Sequence, residues 1–132
     1  MTANPDFERA IAAFNRAEYF DAAEGFEQSL PTIDDAEIKA VANALNQIAA
    51  ALHLRFERGG RQASINLMSQ AMLALDDMKP ARAGFDIERL YDEVSALVAE
   101  IRAAPRDERD GLKHRARIFL ERRRAPRINR VK

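Results

Sequence analysis

Glu24, Glu27 and His53 are the residues of this sequence whose types and spacing could do chemistry. The two glutamates are three positions apart, and on a helix they flank Phe20 at the edge of an apolar face. With His53 near the end of a later predicted helix, they could act as acid and base or as metal ligands. The alternative is two solvated glutamates and a histidine that is favoured, when charged, near a helix C-terminus. The sequence favours this alternative.

The segment that carries the two glutamates must pack one side against other helices. At about 100° per residue, five side chains fall on that side: Tyr19, Ala22, Ala23, Phe26 and Leu30. Glu27 lies at the edge of this apolar face. We therefore expect Glu27 near an arginine or a helix terminus, where it would fix helix packing rather than act in catalysis.

Residues 20–27 read Phe-Asp-Ala-Ala-Glu-Gly-Phe-Glu and resemble the Phe-x-Ala-His-Glu-x-x-Glu run of a bacterial and archaeal family, the domain of unknown function (DUF) 309. Residues 47–53, which lead to Gly59-Gly60, resemble that family's second block, an apolar helix before a glycine turn. Gly84-Phe85-Asp86 followed by Leu90 resembles its third block. The resemblance covers residues 5–103. The family has no assigned biochemical role, so the resemblance implies no particular activity.

Two positions depart from the pattern of that family. Ala23 stands at the position of the family's histidine, and Leu30 stands at that of its usual tryptophan. Position 23 belongs to the apolar face, where a histidine would be partly buried and would need polar partners. If the family's histidine does chemistry, this chain has lost it. If that histidine only holds the core together, packing replaces a polar contact here.

The composition weighs against most kinds of enzyme site. The chain has 132 residues, which suits one domain with a single core. It has no cysteine, which excludes disulfides, thiol nucleophiles and thiolate metal sites, and only two histidines. None of its five glycines forms a phosphate-binding run. We therefore expect no cofactor, no metal and no catalytic residue, and the sequence leans away from an enzyme.

The first ten residues differ from a signal peptide. They carry Asp6 and Glu8 and have no apolar stretch. Nowhere does an apolar run approach the ~20 residues that a membrane span needs. We therefore expect a cytoplasmic protein with no membrane span.

The spacing of apolar residues predicts an all-α fold, a single compact bundle of about five helices in residues 1–105. Asn4-Pro5, Asp34 or Asp35, and Asp86 are predicted helix starts. The third helix, about residues 36–58, is long and rich in alanine and should be central. We find no strand pattern. The predicted core is Phe14, Tyr19, Phe26, Leu45, Ile48, Leu52, Met68, Met72, Leu90, Val94 and Leu97.

Residues 106–132 form a charged extension of this bundle. Residues 113–132 carry nine Lys and Arg side chains against one acid, Glu121, a net charge of +8, so the remainder carries −8. The sequence predicts one or two faint helical turns around Leu112 and Phe119, then disorder or a loosely docked tail from Arg122 onward. The tail residues expected to meet an anionic partner are Arg122, Arg123, Arg124, Arg127 and Arg130.

Three anionic partners suit such a tail: the acidic body of the same or a neighbouring molecule, nucleic acid, or an anionic membrane surface. Phe119 is the only aromatic ring among these basic residues, whereas binders of single-stranded nucleic acid interleave several. The long apolar face of a membrane-surface helix is also missing. We expect docking on the protein's own acidic body first, because the tail is tethered to it, and nucleic acid second.

Part of the tetratricopeptide motif occurs twice. Tyr19, Ala22 and Phe26 match one copy, and residues 63–71 match part of a second. The two copies are 41 residues apart, whereas a tetratricopeptide array repeats every ~34 residues. The single bundle is therefore preferred, and a tetratricopeptide-like hairpin is kept as an analogy.

Two functions remain open from the sequence. The first is a non-catalytic interaction or scaffold domain with a protein partner or with itself. The alternative is a small metal-dependent or hydrolase-like enzyme that uses Glu24, Glu27 and His53. Convergence of these three side chains in one pocket would favour the enzyme.

Overall fold

The computed structural model describes residues 4–104 and 111–131, and this part of the chain is all-α, as the sequence predicts. The predicted end of a helix at Pro105 and the predicted exposed stretch 106–110 lie outside the described residues. The elements in chain order are α1 (Pro5–Asn15), α2 (Tyr19–Ser29), a 3-10 turn (Leu30–Thr32), α3 (Ala36–Arg58), α4 (Gln62–Met78), β1 (Ala81–Arg82), β2 (Phe85–Asp86), α5 (Ile87–Ala103) and α6 (Leu112–Arg123).

Polar side chains cap the helices at the starts that the sequence predicts. Asn4 accepts a hydrogen bond from the Phe7 N–H at 3.2 Å, and Pro5 takes the first helical position, where no N–H is needed. Asp35 accepts from the backbone N–H groups of residues 37 and 38 at the start of α3. Asp86 accepts from the Arg89 N–H at 3.1 Å and begins α5.

Helix α3 lies at the centre of the bundle and packs against α2 on one side and α4 on the other. Four of its alanines, at positions 42, 44, 49 and 51, are buried, so its neighbours approach closely. Of the eleven predicted core residues, ten are buried, and Met72 is half-buried. Leu75, three positions further along the same inner face of α4, is completely buried. Asp35 caps the start of α3, and Gly59, whose φ is +68°, ends the helix.

Gly25 allows α1 and α2 to pack closely. A Cβ atom at position 25 would lie 2.9 Å from the Cβ of Ala10 and 3.4 Å from its Cα. These atoms belong to a short side chain and to the backbone, so they cannot rotate away. The glycine within the segment that resembles the DUF 309 run therefore serves the contact between two helices.

A hairpin of two strands, each two residues long, lies between α4 and α5, where the sequence predicts a loop and no strand. β1 and β2 pair antiparallel, with Ala81 opposite Asp86 and Arg82 opposite Phe85. The two connecting residues have positive φ, +54° at Ala83 and +82° at Gly84, as in the tight turns of two-residue hairpins. The strands are too short to show an alternating pattern, so the prediction of no strand is wrong at this one place.

The C-terminal segment is placed differently from the prediction. α6 runs for twelve residues, and the chain beyond it continues in contact with the bundle to Val131. Ile128 is buried in the main core. The prediction of disorder or loose docking from Arg122 onward is therefore wrong for residues 122–131. The contacts that hold this segment are part of the site described next.

Candidate functional site

The side chains of Glu24 and Glu27 both point away from the core of the bundle. Glu24 is exposed and lines a shallow cleft between α1 and α2, together with Asp6 and Arg9. Glu27 is exposed in the last turn of α2 and forms no hydrogen bond or ion pair with any residue from 4–104 or 111–131. The predicted arginine partner of Glu27 is therefore not found in this part of the chain, and Glu27 lies near a helix terminus, which is the other predicted surrounding. Ala23, at the family's histidine position, is half-buried against the core.

His53 lies on α3 in a different cleft. Its ring is half-buried and lies 5.3 Å from the ring of Phe20, centroid to centroid. Its Nδ1 atom is buried and has no hydrogen-bond partner in the described part of the chain. The cleft has a volume of about 320 Å³, and Glu57 and Arg122 also line it. The structure therefore brings His53 together with Glu57 and Arg122, and not with Glu24 or Glu27.

Arg122 closes the side of this cleft. Its guanidinium donates a hydrogen bond to the Ala17 carbonyl at 2.9 Å and lies 3.3 Å from a carboxylate oxygen of Glu57. It also lies about 6 Å from the rings of Tyr19 and Phe56. Burial raises the pKa of Tyr19 to about 12, and the positive charge of Arg122 acts in the opposite direction. The Tyr19 phenol is therefore neutral at physiological pH. The hydrogen bond to the Ala17 carbonyl holds Arg122 against the turn between α1 and α2.

The strongest polar contact between α6 and the bundle is a buried ion pair. The Arg55 guanidinium on α3 donates two hydrogen bonds to the Glu121 carboxylate on α6, at 2.7 and 2.8 Å. The two side chains are 4% and 0% exposed. Two parallel N–H···O bonds to one carboxylate fix both distance and angle. The single acid of the basic segment therefore sets the rotation of α6 about its own axis.

The sequence reasoning missed Arg55, although a signal for it was present. Arg55 follows Leu52 by three positions and Ile48 by seven, so it continues the apolar face of α3 into the core. Glu121 is the only acid among residues 113–132. A cation on a buried face and a lone acid in a basic segment would have been a reasonable pair to propose.

The rest of the tail docks on acidic groups and on the β hairpin. Exposed ion pairs join Arg124 to Glu100 and Arg130 to Glu8. The backbone N–H of Arg127 donates to Glu93 at 3.0 Å. Further bonds are formed by the Asn15 side chain with both backbone groups of residue 128, by the Asp86 N–H with the carbonyl of residue 129, and by the Val131 N–H with the Gly84 carbonyl. The tail therefore contacts the protein's own acidic body.

The outer side of α6 presents an apolar stripe to solvent. Leu112 is 85% exposed and Phe119 is 60% exposed, and Leu120 and Ala116 are exposed beside them. At about 100° per residue these four positions fall within roughly 100° of arc, opposite Glu121. Helix α6 therefore turns its carboxylate inward, packs Ile118 partly against the core, and exposes its other three large apolar side chains. We call the four residues within this arc the α6 stripe.

Positive charges surround the α6 stripe. Lys113 and Arg115 are exposed at its N-terminal end and form no ion pair with any residue that the structure describes. Arg123 lies at its C-terminal end, with its guanidinium 5.9 Å from the Phe119 ring. Because Glu121 is the only acid on α6, no negative charge lies on this face.

No family model matches this chain, and neither does any curated protein or solved structure. The resemblance to the DUF 309 family and the tetratricopeptide analogy therefore stay predictions. In residues 4–104 and 111–131, no three His, Asp or Glu side chains are grouped as metal ligands. No helix in those same ranges has the length and apolar character to cross a membrane.

Proposed function

We propose that this chain is a non-catalytic interaction domain that binds a protein partner through the α6 stripe. The observation that carries the proposal is the inverted orientation of α6. A surface helix ordinarily turns its apolar residues toward the core, whereas α6 buries Glu121 and exposes Leu112 and Phe119. Single exposed apolar residues are common, but four on one face of one helix form a contiguous patch, which is typical of a binding surface.

The stripe is held ready for contact. The ion pair of Arg55 with Glu121 fixes the rotation of α6, and Arg122 is bonded to the turn at Ala17. A partner therefore meets a helix whose apolar side is already turned outward. Binding to a preorganised surface costs less conformational entropy than binding to a flexible segment.

The alternative enzyme gains less support from the geometry. It requires Glu24, Glu27 and His53 to act together, and Glu24 and His53 line different clefts. Nucleic-acid binding through the tail also gains less support. Arg122, Arg124 and the last arginine of the tail already pair with carboxylates of the body. These carboxylates would compete with phosphate groups for the same cations.

A cross-linking experiment tests the proposal. The natural chain has no cysteine, so Ala116→Cys places a single thiol within the stripe. Ala40→Cys is a matched control, since it places the thiol at an exposed position of α3. Each purified variant is labelled with a photoactivatable, thiol-reactive cross-linker, freed of excess reagent, and then added to an extract of the native host. We expect a discrete adduct from Ala116→Cys that is absent from Ala40→Cys.

The protein in the adduct is then purified and its binding to the unmodified chain is measured by calorimetry. We expect Phe119→Asp to weaken this binding at least tenfold with an unchanged melting temperature, because a charge replaces a central apolar contact. Identical adducts from positions 116 and 40, or binding that is unaffected by Phe119→Asp, would overturn the proposal.

A further inference from the structure

A second exposed apolar surface lies between α4 and α5, on the side of the bundle that the tail does not cover. Leu73 is 74% exposed at its edge. The groove has a volume of about 280 Å³, and its lining includes Met72, Leu73, Tyr91 and Val98. Among the large apolar side chains of the described residues, only Leu112 is more exposed than Leu73. We call this surface the α4–α5 groove.

The groove carries charges of both signs, and it belongs to a body whose net charge is opposite to that of the α6 segment. Asp76 and Arg102 both line the groove, and Asp76 is paired with Lys79 at 3.3 Å. Asp77, the next residue on α4, has no ion pair with any described side chain. The bundle to which the groove belongs lies within residues 1–112, whose net charge is −8, against +8 for residues 113–132. A basic apolar helix therefore suits an apolar groove on an acidic body.

We propose that the α6 stripe of one copy of this chain docks in the α4–α5 groove of a second copy. This inference rests on the proposed function and names the partner of the same surface. Apolar contact comes from Leu112 and Phe119 against Leu73 and Met72, and the exposed cations Lys113 and Arg115 supply the charge attraction.

Two other arrangements are disfavoured by the structure. Two stripes packed against each other would bring the cations of both helices together, because each stripe has basic residues at both ends. The chain's own groove is also out of reach of its stripe. Glu121 is bonded to Arg55 on α3, and the tail leaves α6 along the face of α5 that carries Glu93 and Glu100.

The contact is small, because one helix of twelve residues meets one groove. Interfaces below the standard size are weak and transient, so we expect a dissociation constant of about 10 to 100 µM. Exposed charge pairs are screened by salt, so raising the ionic strength from low to about 0.5 M should weaken the association several-fold.

Sedimentation velocity at about 10 to 500 µM of the full chain tests the inference. We expect the natural chain to sediment faster as its concentration rises. Phe119→Asp breaks the stripe and Leu73→Asp breaks the groove, so each variant alone should remain monomeric. An equimolar mixture should form a one-to-one complex, because the first variant retains its groove and the second retains its stripe.

Both substituted side chains are exposed, and Leu112→Asp provides a second variant of the stripe that should behave as Phe119→Asp does. A natural chain that stays monomeric at about 500 µM and low salt would overturn this inference. Association that persists in either variant, or a mixture that fails to associate, would also overturn it. A cross-linked adduct with another protein at Ala116→Cys would reject the second copy as partner while it supports the interaction domain. Absence of both self-association and any stripe-specific adduct would reject both.

Discussion

The α2 segment and the α6 segment of this chain have opposite relations between sequence and structure. Residues 19–30 carry a recognisable pattern that includes Glu24 and Glu27, yet both of these carboxylates lie in solvent, and the buried positions are apolar apart from Ser29. Residues 112–123 look like a solvated basic run, yet they bury a carboxylate and expose leucine and phenylalanine. In α2 the sequence pattern reflects how the helix packs. In α6 the basic composition does not by itself indicate the buried ion pair of Glu121 with Arg55.

The difference shows what a residue's position on a helix can and cannot establish. Glu27 lies at the edge of an apolar face and still has no ion pair with a described residue. Glu121 belongs to a mostly polar helix and is completely buried, because Arg55 on another helix meets it. The angle around one helix gives the direction of a side chain. The partner that makes a charge acceptable in the core comes from a distant part of the chain.

The largest expected effect is at the centre of the α2 face. Phe26 is completely buried, and its ring lies 5.8 Å from that of Phe7 in an edge-to-face arrangement. Phe26→Ala removes this contact and leaves a cavity, so the free energy of unfolding should fall by about 3–5 kcal/mol. Urea unfolding followed by circular dichroism measures the change. A loss below about 1 kcal/mol would show that α2 does not pack as described.

The next largest effect is at the ion pair of α6. Glu121→Gln leaves the Arg55 charge buried without a counter-charge, so we expect a loss of about 3 kcal/mol, or release of α6 from α3. Hydrogen exchange of the amides in residues 112–123 distinguishes release from global destabilisation. These amides should exchange faster in the variant, whereas those of α4 should change little.

The matched control for that prediction is Glu100→Gln. It makes the same chemical change at the exposed ion pair with Arg124, where solvent screens the charges. Its effect on the unfolding free energy should stay below about 1 kcal/mol. Equal effects of the two substitutions would mean that burial of the Arg55–Glu121 pair does not matter, and the contrast between α2 and α6 would lose its basis.

The helices could be predicted from this sequence because their apolar positions repeat at three and four. The caps at Asn4, Asp35 and Asp86 mark the starts, and Gly59 marks the end of α3. The spacing predicts Met72 and Leu75 on the same inner face of α4, and the neighbouring helix decides that Leu75 is fully covered and Met72 only half. The two-residue strands escaped prediction because they are shorter than one alternation.

The candidate site was harder to predict than the fold. Spacing places Glu24 and Glu27 on nearby directions of one helix, but their distance from His53 depends on how α2 and α3 pack. The cleft that contains His53 also includes Arg122, from a segment that the sequence assigned to a loose tail. The α6 stripe was visible as Leu112, Ala116 and Phe119. Its outward direction follows only from the buried position of Glu121.

The smallest expected effects are at Glu24 and Glu27, and they test the other half of the comparison. Both side chains are exposed, so Glu24→Gln and Glu27→Gln should each change the unfolding free energy by less than about 0.5 kcal/mol. Because neither carboxylate belongs to the α6 stripe or the α4–α5 groove, self-association in sedimentation should also be unchanged. The earlier expectation that Glu27 fixes helix packing requires a larger loss of stability.

The enzyme interpretation requires the opposite combination, in which the melting temperature is unchanged and the binding of a small molecule is lost. A screen of both variants against the natural chain by thermal shift with small-molecule ligands would reveal that combination. A variant with an unchanged melting temperature and lost ligand binding would show that the functional site lies on α2 and not on α6.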